Sequence, residues 1–359
     1  MGGDDEKTGL YARGRMRCHR IVCMVVAMAV GRLTGSPVAW THGAGVTAAM
    51  LAATQEHGGP STGLPHNIPQ FCESETIASV KSGGWSDPQT WSLGRVPGAN
   101  DAVHIEANTD VLYDTVGSET LDCIRIEDMG QLRFKTDANT RLKVGTLMVM
   151  AMGYLEIGTE ANPVQGTATA ELVIADKPLD AMMDPEQFGT ALIVIGKIRI
   201  HGALRTPTFV RLAQEPKAGT NILFTASPVG QQPGDPQAPP GAWQPGDLVI
   251  LPDTRRLTLA ERQNYVPQLE TLPIAQILGG NQVVLAGTLK FDHHGARNGD
   301  GVLEYLPHAA NMTRNVIVRS ENPLGTRGHI IAVERADVDV RYASLKELGR
   351  TKAAGANSA

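Results

Sequence analysis

One stretch decides the fold, because the same pattern occurs in it twice: CIRIEDMGQLRFKTDANTRLKVGTLMVMAMGYLEIG, Cys123 to Gly158. Each copy is an alternating strand, then a glycine, then a leucine and a second short strand. The two glycines, Gly130 and Gly153, lie 23 residues apart. A period in the low twenties is typical of one coil of a parallel β-helix, in which each coil buries its inner face against the next. The pattern therefore predicts an all-β fold, a right-handed parallel β-helix whose glycines allow a tight bend within each coil.

Later segments extend this pattern. ALIVIGKIRIHG, Ala191 to Gly202, is a shorter copy, and its Gly196 lies 43 residues after the second glycine above, near twice the period. The strand ELVIA, Glu171 to Ala175, falls between. Residues 206–308 read as a small β-rich insertion, and strand periodicity resumes at Asn315. The alternative is an antiparallel sandwich with hairpins at the same glycines, although Asn-Gly and Asp-Gly turns are absent from those positions.

The composition agrees with a stacked β fold. Hydrophobic residues make up 42% of the chain but aromatic residues only 4%, so aliphatic side chains must pack the core. Stacked coils tolerate this, because ladders of aliphatic side chains fill their interiors. The formal net charge is -5 and no basic face stands out, which argues against a nucleic-acid partner.

The first 44 residues are typical of an export signal. Arginines precede the apolar run Ile21 to Val30, and small residues follow it. An uncleaved N-terminal anchor, which would be the chain's one contact with a membrane, or a misassigned start are the alternatives. We therefore expect a secreted or cell-surface protein. Cys72 and Cys123 would then either pair in an oxidising compartment or remain two unrelated thiols.

The remaining boundaries follow from composition and periodicity. Residues 45–70 read as a flexible lead-in, residues 71–205 as the first coils and residues 309–350 as further coils. Residues 351–359 read as a tail. An array of coils that stops there without a cap suggests a truncated product of a longer protein.

The ordered series of short motifs resembles the eight-glycine (G-eight) domain family over roughly residues 82–350. The motifs are Trp85 and Trp91, GRVPG at Gly94 to Gly98, the G-x-L pairs at Gly130 and Gly153, IGT at Ile157 to Thr159, IHG at Ile200 to Gly202, WQPGDLVI at Trp243 to Ile250, TRNVIVRS at Thr313 to Ser320 and RGHIIAV at Arg327 to Val333. The family occurs in cell-surface proteins, one of them a hyaluronidase, and in secreted bacterial proteins. The resemblance implies a pectin-lyase-like solenoid outside the cell and, in some members, an association with polysaccharide. It does not by itself imply hydrolysis.

The densest polar cluster is FDHHGARNGDG, which begins at Phe291. Asp292 and His294 can share a face, because adjacent residues of a strand point to opposite sides. They are candidates for an acid/base pair or for metal ligands. His329, which begins a predicted coil, is a third catalytic candidate if the insertion folds back. The alternative is a polar loop and a turn histidine that bond to backbone groups.

Two further sets of residues are weaker candidates. Asp337 and Asp339 alternate with valines and therefore share one face of a strand. Paired carboxylates suit calcium-dependent cleavage of polysaccharide, but they equally suit a solvated strand face. Three tryptophans, Trp85, Trp91 and Trp243, are candidates for stacking on sugar rings or for capping the end of a solenoid.

The sequence therefore predicts an exported or cell-surface protein that binds extracellular polysaccharide, with no certain cofactor and with calcium as the candidate ion. One alternative is a fragment of a calcium-dependent hydrolase or lyase of a hyaluronan-like polysaccharide. Another is a structural surface or adhesin module. Convergence of Asp292, His294 and His329 would favour the enzyme, and their separation would favour binding or a structural role.

Overall fold

The computed structural model describes residues 62–350, and within them the regular secondary structure is nearly all β-strand. The predicted signal or anchor, most of the predicted lead-in and residues 351–359 lie outside the described residues. The strands are β1 (Ile77–Ala78), β2 (Gly83–Gly84), β3 (Ala102–Ile105), β4 (Asp110–Tyr113), β5 (Val116–Ile126), β6 (Gln131–Phe134), β7 (Thr140–Val149), β8 (Tyr154–Ile157), β9 (Ala170–Ile174), β10 (Ala191–Val194), β11 (Lys197–His201), β12 (Phe209–Arg211), β13 (Ile222–Phe224), β14 (Leu248–Leu251), β15 (Glu270–Leu278), β16 (Gln282–Leu285), β17 (Ala296–Arg297), β18 (Leu303–Tyr305), β19 (His308–Asn311), β20 (Val316–Ser320), β21 (His329–Ala332), β22 (Asp337–Arg341) and β23 (Ala343–Lys346).

Helix is scarce in the described residues. There are two 3-10 turns, Pro65–Asn67 and Pro88–Thr90, and one α-helix, α1 (Leu259–Gln263). Thr258 caps this helix: the Thr258 hydroxyl accepts the Glu261 N–H, and the Glu261 carboxylate accepts the Thr258 N–H. Among residues 62–350 no helix is long and apolar enough to cross a membrane.

Two parallel sheets contain most of the strands. The first has the order β1-β3-β5-β7-β9-β20-β23, with β10 paired to β7 and β21 paired to β10. The second has the order β2-β4-β6-β8-β11-β22. From β1 to β8 successive strands alternate between the two sheets, so each repeat of the chain adds one layer to both. After β8, the first sheet receives two strands in each layer, β9 with β10 and β20 with β21. The all-β prediction is confirmed, with parallel pairing throughout these two sheets.

The strand registers test the predicted period. Gln131 pairs with Tyr154, so residues 23 apart are neighbours, as the repeat predicts. The 43-residue spacing to Gly196 has a different cause, because Lys197 also pairs directly with Tyr154. These 43 residues form one repeat rather than two. The long strand β7 pairs with β5 along one edge and with both β9 and β10 along the opposite edge. The loop between β9 and β10 makes this repeat longer than 23 residues.

A third, antiparallel sheet lies between β11 and β20 in the sequence. Its order is β12-β19-β14-β15-β16-β13, and β17 and β18 form a separate hairpin. Its last strand ends at Asn311, slightly beyond the predicted insertion of residues 206–308. After it, β20, β21 and β22 pair in parallel with β9, β10 and β11, so the strands that resume after Asn315 add a further layer to both parallel sheets.

The core between the parallel sheets is aliphatic, as the composition predicts. An inward row on the second sheet is fully buried and consists of Val111, Leu132, Leu155 and Ile198. Aromatic rings gather at the first strands: the Trp85 ring centre lies 4.7 Å from that of Trp91 and 5.0 Å from that of Tyr113. These rings close the β1 end of the core.

The repeat glycines are explained by close approach of the backbone. A Cβ atom at Gly130 would lie 2.5 Å from a carbonyl oxygen of the preceding layer, and one at Gly153 would lie 2.8 Å from the corresponding oxygen. At Gly196 the nearest carbonyl oxygen is closer still. None of the three has a left-handed φ, so the layers exclude a side chain here for lack of space rather than because of a bend.

The first described residues are packed, which corrects the expectation of a flexible lead-in up to residue 70. Ile68 is fully buried and packs with Met148 and Ile193 on the outer side of the first sheet. The side chain of Gln70 accepts a hydrogen bond of 2.8 Å from Arg125. The packed part of the chain therefore begins before Phe71, where the sequence analysis starts the first coils.

Candidate functional site

The structure brings together two of the three predicted catalytic residues. His294 Nε2 lies 3.6 Å from Asp292 Oδ2, and both side chains are about half exposed. Asp292 also accepts the Ala218 N–H at 2.8 Å, and this bond is the main cause that lowers the pKa of the Asp292 carboxyl. Lys217 Nζ lies 3.7 Å from the same carboxylate. The pair is therefore part of an exposed network of charges.

His329 contacts a different set of residues. It lies on β21, where Arg350 donates a hydrogen bond of 2.6 Å to its Nδ1. Burial, and then the charge of Arg350, lower the pKa of His329 to about 4, so the ring is neutral near pH 7. None of its contacts involves Asp292 or His294. The three candidates do not share a set of contacts, and residues 62–350 hold no group of three or more His, Cys, Asp or Glu side chains placed to bind a metal.

The neighbour of these candidates, His293, lies in the interior. Its side chain is 1% exposed, its Nδ1 lies 2.9 Å from the Pro252 carbonyl oxygen, and its Nε2 lies 3.2 Å from Glu270 Oε1. Glu270 also accepts the N–H groups of Lys290 and Phe291. The adjacent histidines therefore point to opposite sides, and the inner one ties three segments of the antiparallel sheet together.

The metal candidates on β22 are paired with arginines. Arg199 Nη2 lies 2.6 Å from Asp337, and Arg341 Nε lies 2.9 Å from Asp339. In each case the guanidinium bond is the largest cause that lowers the pKa of the carboxyl. The two carboxylates point outward on one side of the strand, as expected, but their negative charge is already balanced by protein cations.

The predicted role of the tryptophans in sugar binding is wrong for a physical reason. Trp85, Trp91 and Trp243 expose only 3%, 2% and 3% of their surface. A ring that is this deeply buried offers no face to a sugar in solvent. The indole N–H groups are also used: Trp91 donates to the Trp85 carbonyl and Trp243 to that of Pro207, at 2.8 and 2.7 Å.

The two cysteines of the described residues form a disulfide. Cys72 and Cys123 are 51 residues apart and their Cα atoms are separated by 5.7 Å. The bond attaches the segment before β1 to strand β5. Of the two alternatives that the sequence leaves open, pairing is the one present in the structure.

An extended polar surface is formed by the outward side of the second sheet, which we call the polar face. Its side chains come from β4, β6, β8, β11 and β22 and form two rows across the strands. One row is Asp110, Gln131, Tyr154, Lys197 and Asp337, and the other is Leu112, Arg133, Glu156, Arg199 and Asp339. Because neighbouring strands lie about 4.8 Å apart, polar groups recur at that interval along the whole of the first row and along the second row from Arg133 onward.

Ion pairs and hydrogen bonds hold the polar face in place. Arg133 forms two hydrogen bonds with Asp110, of 2.8 and 2.6 Å. The Tyr154 hydroxyl donates to Glu156 at 2.7 Å, and burial together with this bond raises the pKa of the phenol, which stays protonated. These contacts leave little mobility in the side chains that they join.

Other groups on the polar face remain open to a ligand. In residues 62–350 the side-chain amide of Gln131 forms no hydrogen bond, and the Lys197 ammonium forms no ion pair, although it lies 5.1 Å from the centre of the Tyr154 ring. A shallow recess of about 450 Å³ adjoins Gln131 at the starts of the strands. Its lining includes Asn108, Asp110, Met129, Gln131, Met152 and Tyr154.

Sequence reasoning missed the polar face, although a signal for it exists in the quoted stretch. Once Leu132 and Leu155 are assigned to the interior, alternation puts Gln131, Arg133 and Tyr154 outside. The histidine and aspartate clusters are the more conspicuous feature of the sequence. What the sequence does not contain is the side-by-side register of strands that are distant in the chain, which turns single polar residues into rows.

The described fold and the polar face define an all-β protein of stacked parallel strands. The family model of the G8 domain matches residues 90–213, which include β3 to β11. The chain therefore carries a G8 domain, the eight-glycine domain that its motifs resemble.

Curated relatives agree with this. The chain is 25% identical to mouse (Mus musculus) fibrocystin over 287 residues, which is 75% of this chain and 6% of fibrocystin. It is 26% identical to human (Homo sapiens) fibrocystin-L over 246 residues, which is 66% of this chain and 5% of that protein. The chain is 25% identical to a Dictyostelium discoideum protein over 248 residues, which is 66% of this chain and 20% of that protein. The chain thus spans a small part of each of these relatives.

Proposed function

We propose that this chain is an exported or cell-surface protein whose parallel sheets form a right-handed β-helix, with residues 206–308 as an insertion, and that its polar face binds extracellular polysaccharide. The alternation of strands between two parallel sheets supports the solenoid, because nearly all crossover connections between parallel strands are right-handed. The disulfide between Cys72 and Cys123 supports an oxidising compartment.

The observation that carries the binding proposal is the first row of the polar face, in which every side chain is polar. The row crosses five adjacent strands, four from the G8 region and β22 from the following layer. A polymer with repeated hydroxyl groups can bond to several such groups at once, and many weak contacts then add up to useful affinity. The surface is open and shallow, which suits a long chain better than a small molecule. The fixed ion pairs beside it reduce the entropy lost on binding.

The test compares immobilised neutral and acidic polysaccharides by biolayer interferometry with the full chain. The Gln131→Ala/Lys197→Ala double variant removes two open polar groups without disturbing the ion pairs. We expect its binding to weaken about tenfold or more, since the hydrogen bond to the charged Lys197 alone contributes about 1.5–3 kcal/mol.

The matched control is Lys346→Ala, which removes an exposed lysine from β23, outside the polar face. It should bind like the unmodified chain. Equal binding by the double variant and this control, or no binding of any polysaccharide by the unmodified chain, would refute the proposal.

A further inference from the structure

A second recess lies where the insertion meets the parallel sheets, and we call it the junction pocket. It has a volume of about 410 Å³ and opens to solvent. Three segments line it: residues 162–166 from the loop after β8, residues 203–205 from the chain that leaves β11, and residues 238–239 and 241–244 from the loop before β14. It is separate from the polar face and shares no residue with it.

The charged group in this pocket is Arg205. The residue is 91% buried, its Nε donates to Asp247 at 3.0 Å, and its Nη1 donates to the Leu204 carbonyl at 2.9 Å. Within residues 62–350, Nη2 has no hydrogen-bond acceptor. This nitrogen lies beside the pocket wall, 3.7 Å from the position that a Cβ of residue 166 would take. Arg205 therefore offers the pocket an unused charged donor.

The charge around Arg205 is not balanced. Asp247 is nearly fully buried, and its second oxygen accepts hydrogen bonds from Asn311 and from the Gln244 N–H. Arg314 lies near the same carboxylate and, in the described part of the chain, forms no ion pair. Burial lowers the pKa of Arg314, and the charge of Arg205 lowers it further. Two guanidinium groups thus depend on one carboxylate, and a partly buried excess of positive charge favours an anion.

The rest of the pocket wall is uncharged, and it combines apolar side chains such as Leu204 with the polar side chains of Asn162, Gln165 and Gln244. Among residues 62–350, the side-chain amides of Gln165 and Gln244 form no hydrogen bonds, and both residues line the pocket. Amides donate and accept, so they suit hydroxyl groups better than a second charge. An arginine nitrogen beside free amides matches a ligand that carries a carboxylate and hydroxyl groups on one small ring.

We propose that the junction pocket binds the carboxylate of an acidic sugar residue. The carboxylate accepts from Arg205 Nη2, and the sugar hydroxyls bond to the amides of Gln165 and Gln244. This proposal rests on the proposed function only in assuming that the chain encounters saccharides outside the cell. It adds a second binding site and a preference for negatively charged sugars, which the polar face does not supply. A charge-assisted hydrogen bond of this kind corresponds to about tenfold or more in affinity.

The sharpest test uses a ligand pair that differs at the carboxylates. Digalacturonate and its dimethyl ester share their hydroxyl groups, and in the ester two methyl groups remove both negative charges. We expect isothermal titration calorimetry to show about tenfold or tighter binding of the acid by the full chain. Equal affinity for acid and ester would overturn the proposal, and so would equally good displacement of the acid by inorganic sulfate, which would indicate a general anion site.

A filling variant avoids removing Arg205, whose loss would leave Asp247 buried without its partner. Gly166→Leu adds a side chain at a position where a Cβ makes only ordinary contacts, the nearest at 3.7 and 3.8 Å, so the fold is retained while the pocket is occupied. Gly299→Leu is the control, because a Cβ there meets nothing within 4 Å. We expect the first variant to lose tenfold or more in affinity for digalacturonate and the second to lose none. Unchanged binding by Gly166→Leu would overturn the proposal.

The polar-face variant separates the two proposals. Gln131→Ala/Lys197→Ala should keep the preference for digalacturonate over its ester, because neither residue lines the junction pocket. If digalacturonate binds while no polysaccharide does, the polar-face proposal fails and this one stands. If polysaccharide binds but acid and ester are equal, this proposal fails and the polar face stands.

Discussion

Gly196→Ala tests the reason given for the repeat glycines. The Cβ atom that alanine adds would lie 2.6 Å from the Gly153 carbonyl oxygen and nearer still to that of Met150. Real Cβ atoms essentially never approach another heavy atom within 3.0 Å, so the two layers must separate locally. The same Gly153 oxygen accepts the Lys197 N–H at 3.0 Å, and the separation therefore stretches a hydrogen bond of the ladder.

The magnitude follows from these contacts. Overpacking of a tight site costs about 1–3 kcal/mol, and a weakened backbone hydrogen bond adds about 1 kcal/mol. We therefore expect the free energy of unfolding to fall by about 2–4 kcal/mol, a large share of the stability of an ordinary domain. For a chain of this size the midpoint of thermal unfolding should fall by about 2 °C for each kcal/mol.

Urea unfolding followed by tryptophan fluorescence measures the effect, because Trp85 and Trp91 lie in the core between the parallel sheets. Gly299→Ala is the matched control: it has open space around its Cβ position and no left-handed φ, so its stability should change by less than about 0.5 kcal/mol. Gly153→Ala should cost less than Gly196→Ala, because its closest contact is 2.8 Å. If Gly196→Ala is as stable as the control, the close-approach explanation is refuted.

Three other predictions concern stability. Asn315→Ala should lower the free energy of unfolding by about 1–3 kcal/mol in urea, because its amide donates to three carbonyl oxygens and accepts the N–H of Ala203; a loss below about 0.5 kcal/mol would contradict this. Cys72→Ala should cost about 2–4 kcal/mol, and dithiothreitol should then have no further effect on its thermal midpoint. The guanidinium of Arg95 holds the pKa of Asp101 at about 2, below its usual value, so this pair stabilises the fold above about pH 4 and the contribution is lost as the pH falls toward about 2. In the Asp101→Asn variant the urea midpoint should therefore depend less on pH over that range than it does in the unmodified chain. An unchanged dependence on pH would contradict the stabilising role given to the pair.

The strands and their period could be predicted because their causes are local. Alternation of apolar and polar residues marks β6 and β8, and the 23-residue spacing marks the layers that stack on each other. The 43-residue spacing to Gly196 looks like two periods for a physical reason: a loop added between β9 and β10 changes the spacing without changing which strands pair. Period alone does not distinguish one long repeat from two short ones.

The candidate site could be predicted less well, because its properties arise from contacts between distant residues. Asp337 is paired with Arg199, 138 residues earlier, and the sequence shows no sign of this neighbour. The tryptophans likewise look the same in the sequence whether they are buried in a core or exposed on a surface. Adjacent histidines gave a correct prediction of opposite directions, yet only the structure shows that His293 is the one in the interior.

The alternation of inward and outward residues separates the core, which holds the fold together, from the polar face, which is proposed to bind polysaccharide. On β6 and β8 the inward positions Leu132 and Leu155 fill the core, whereas the outward positions Gln131 and Tyr154 lie one residue away on the polar face. Outward residues can therefore change without creating cavities, provided that paired charges change together. The glycines allow no such freedom, because the spacing of the layers depends on them. It follows that the repeat pattern identifies the scaffold, and that any ligand specificity must be sought in the outward rows and in the loops, where the pattern imposes no residue.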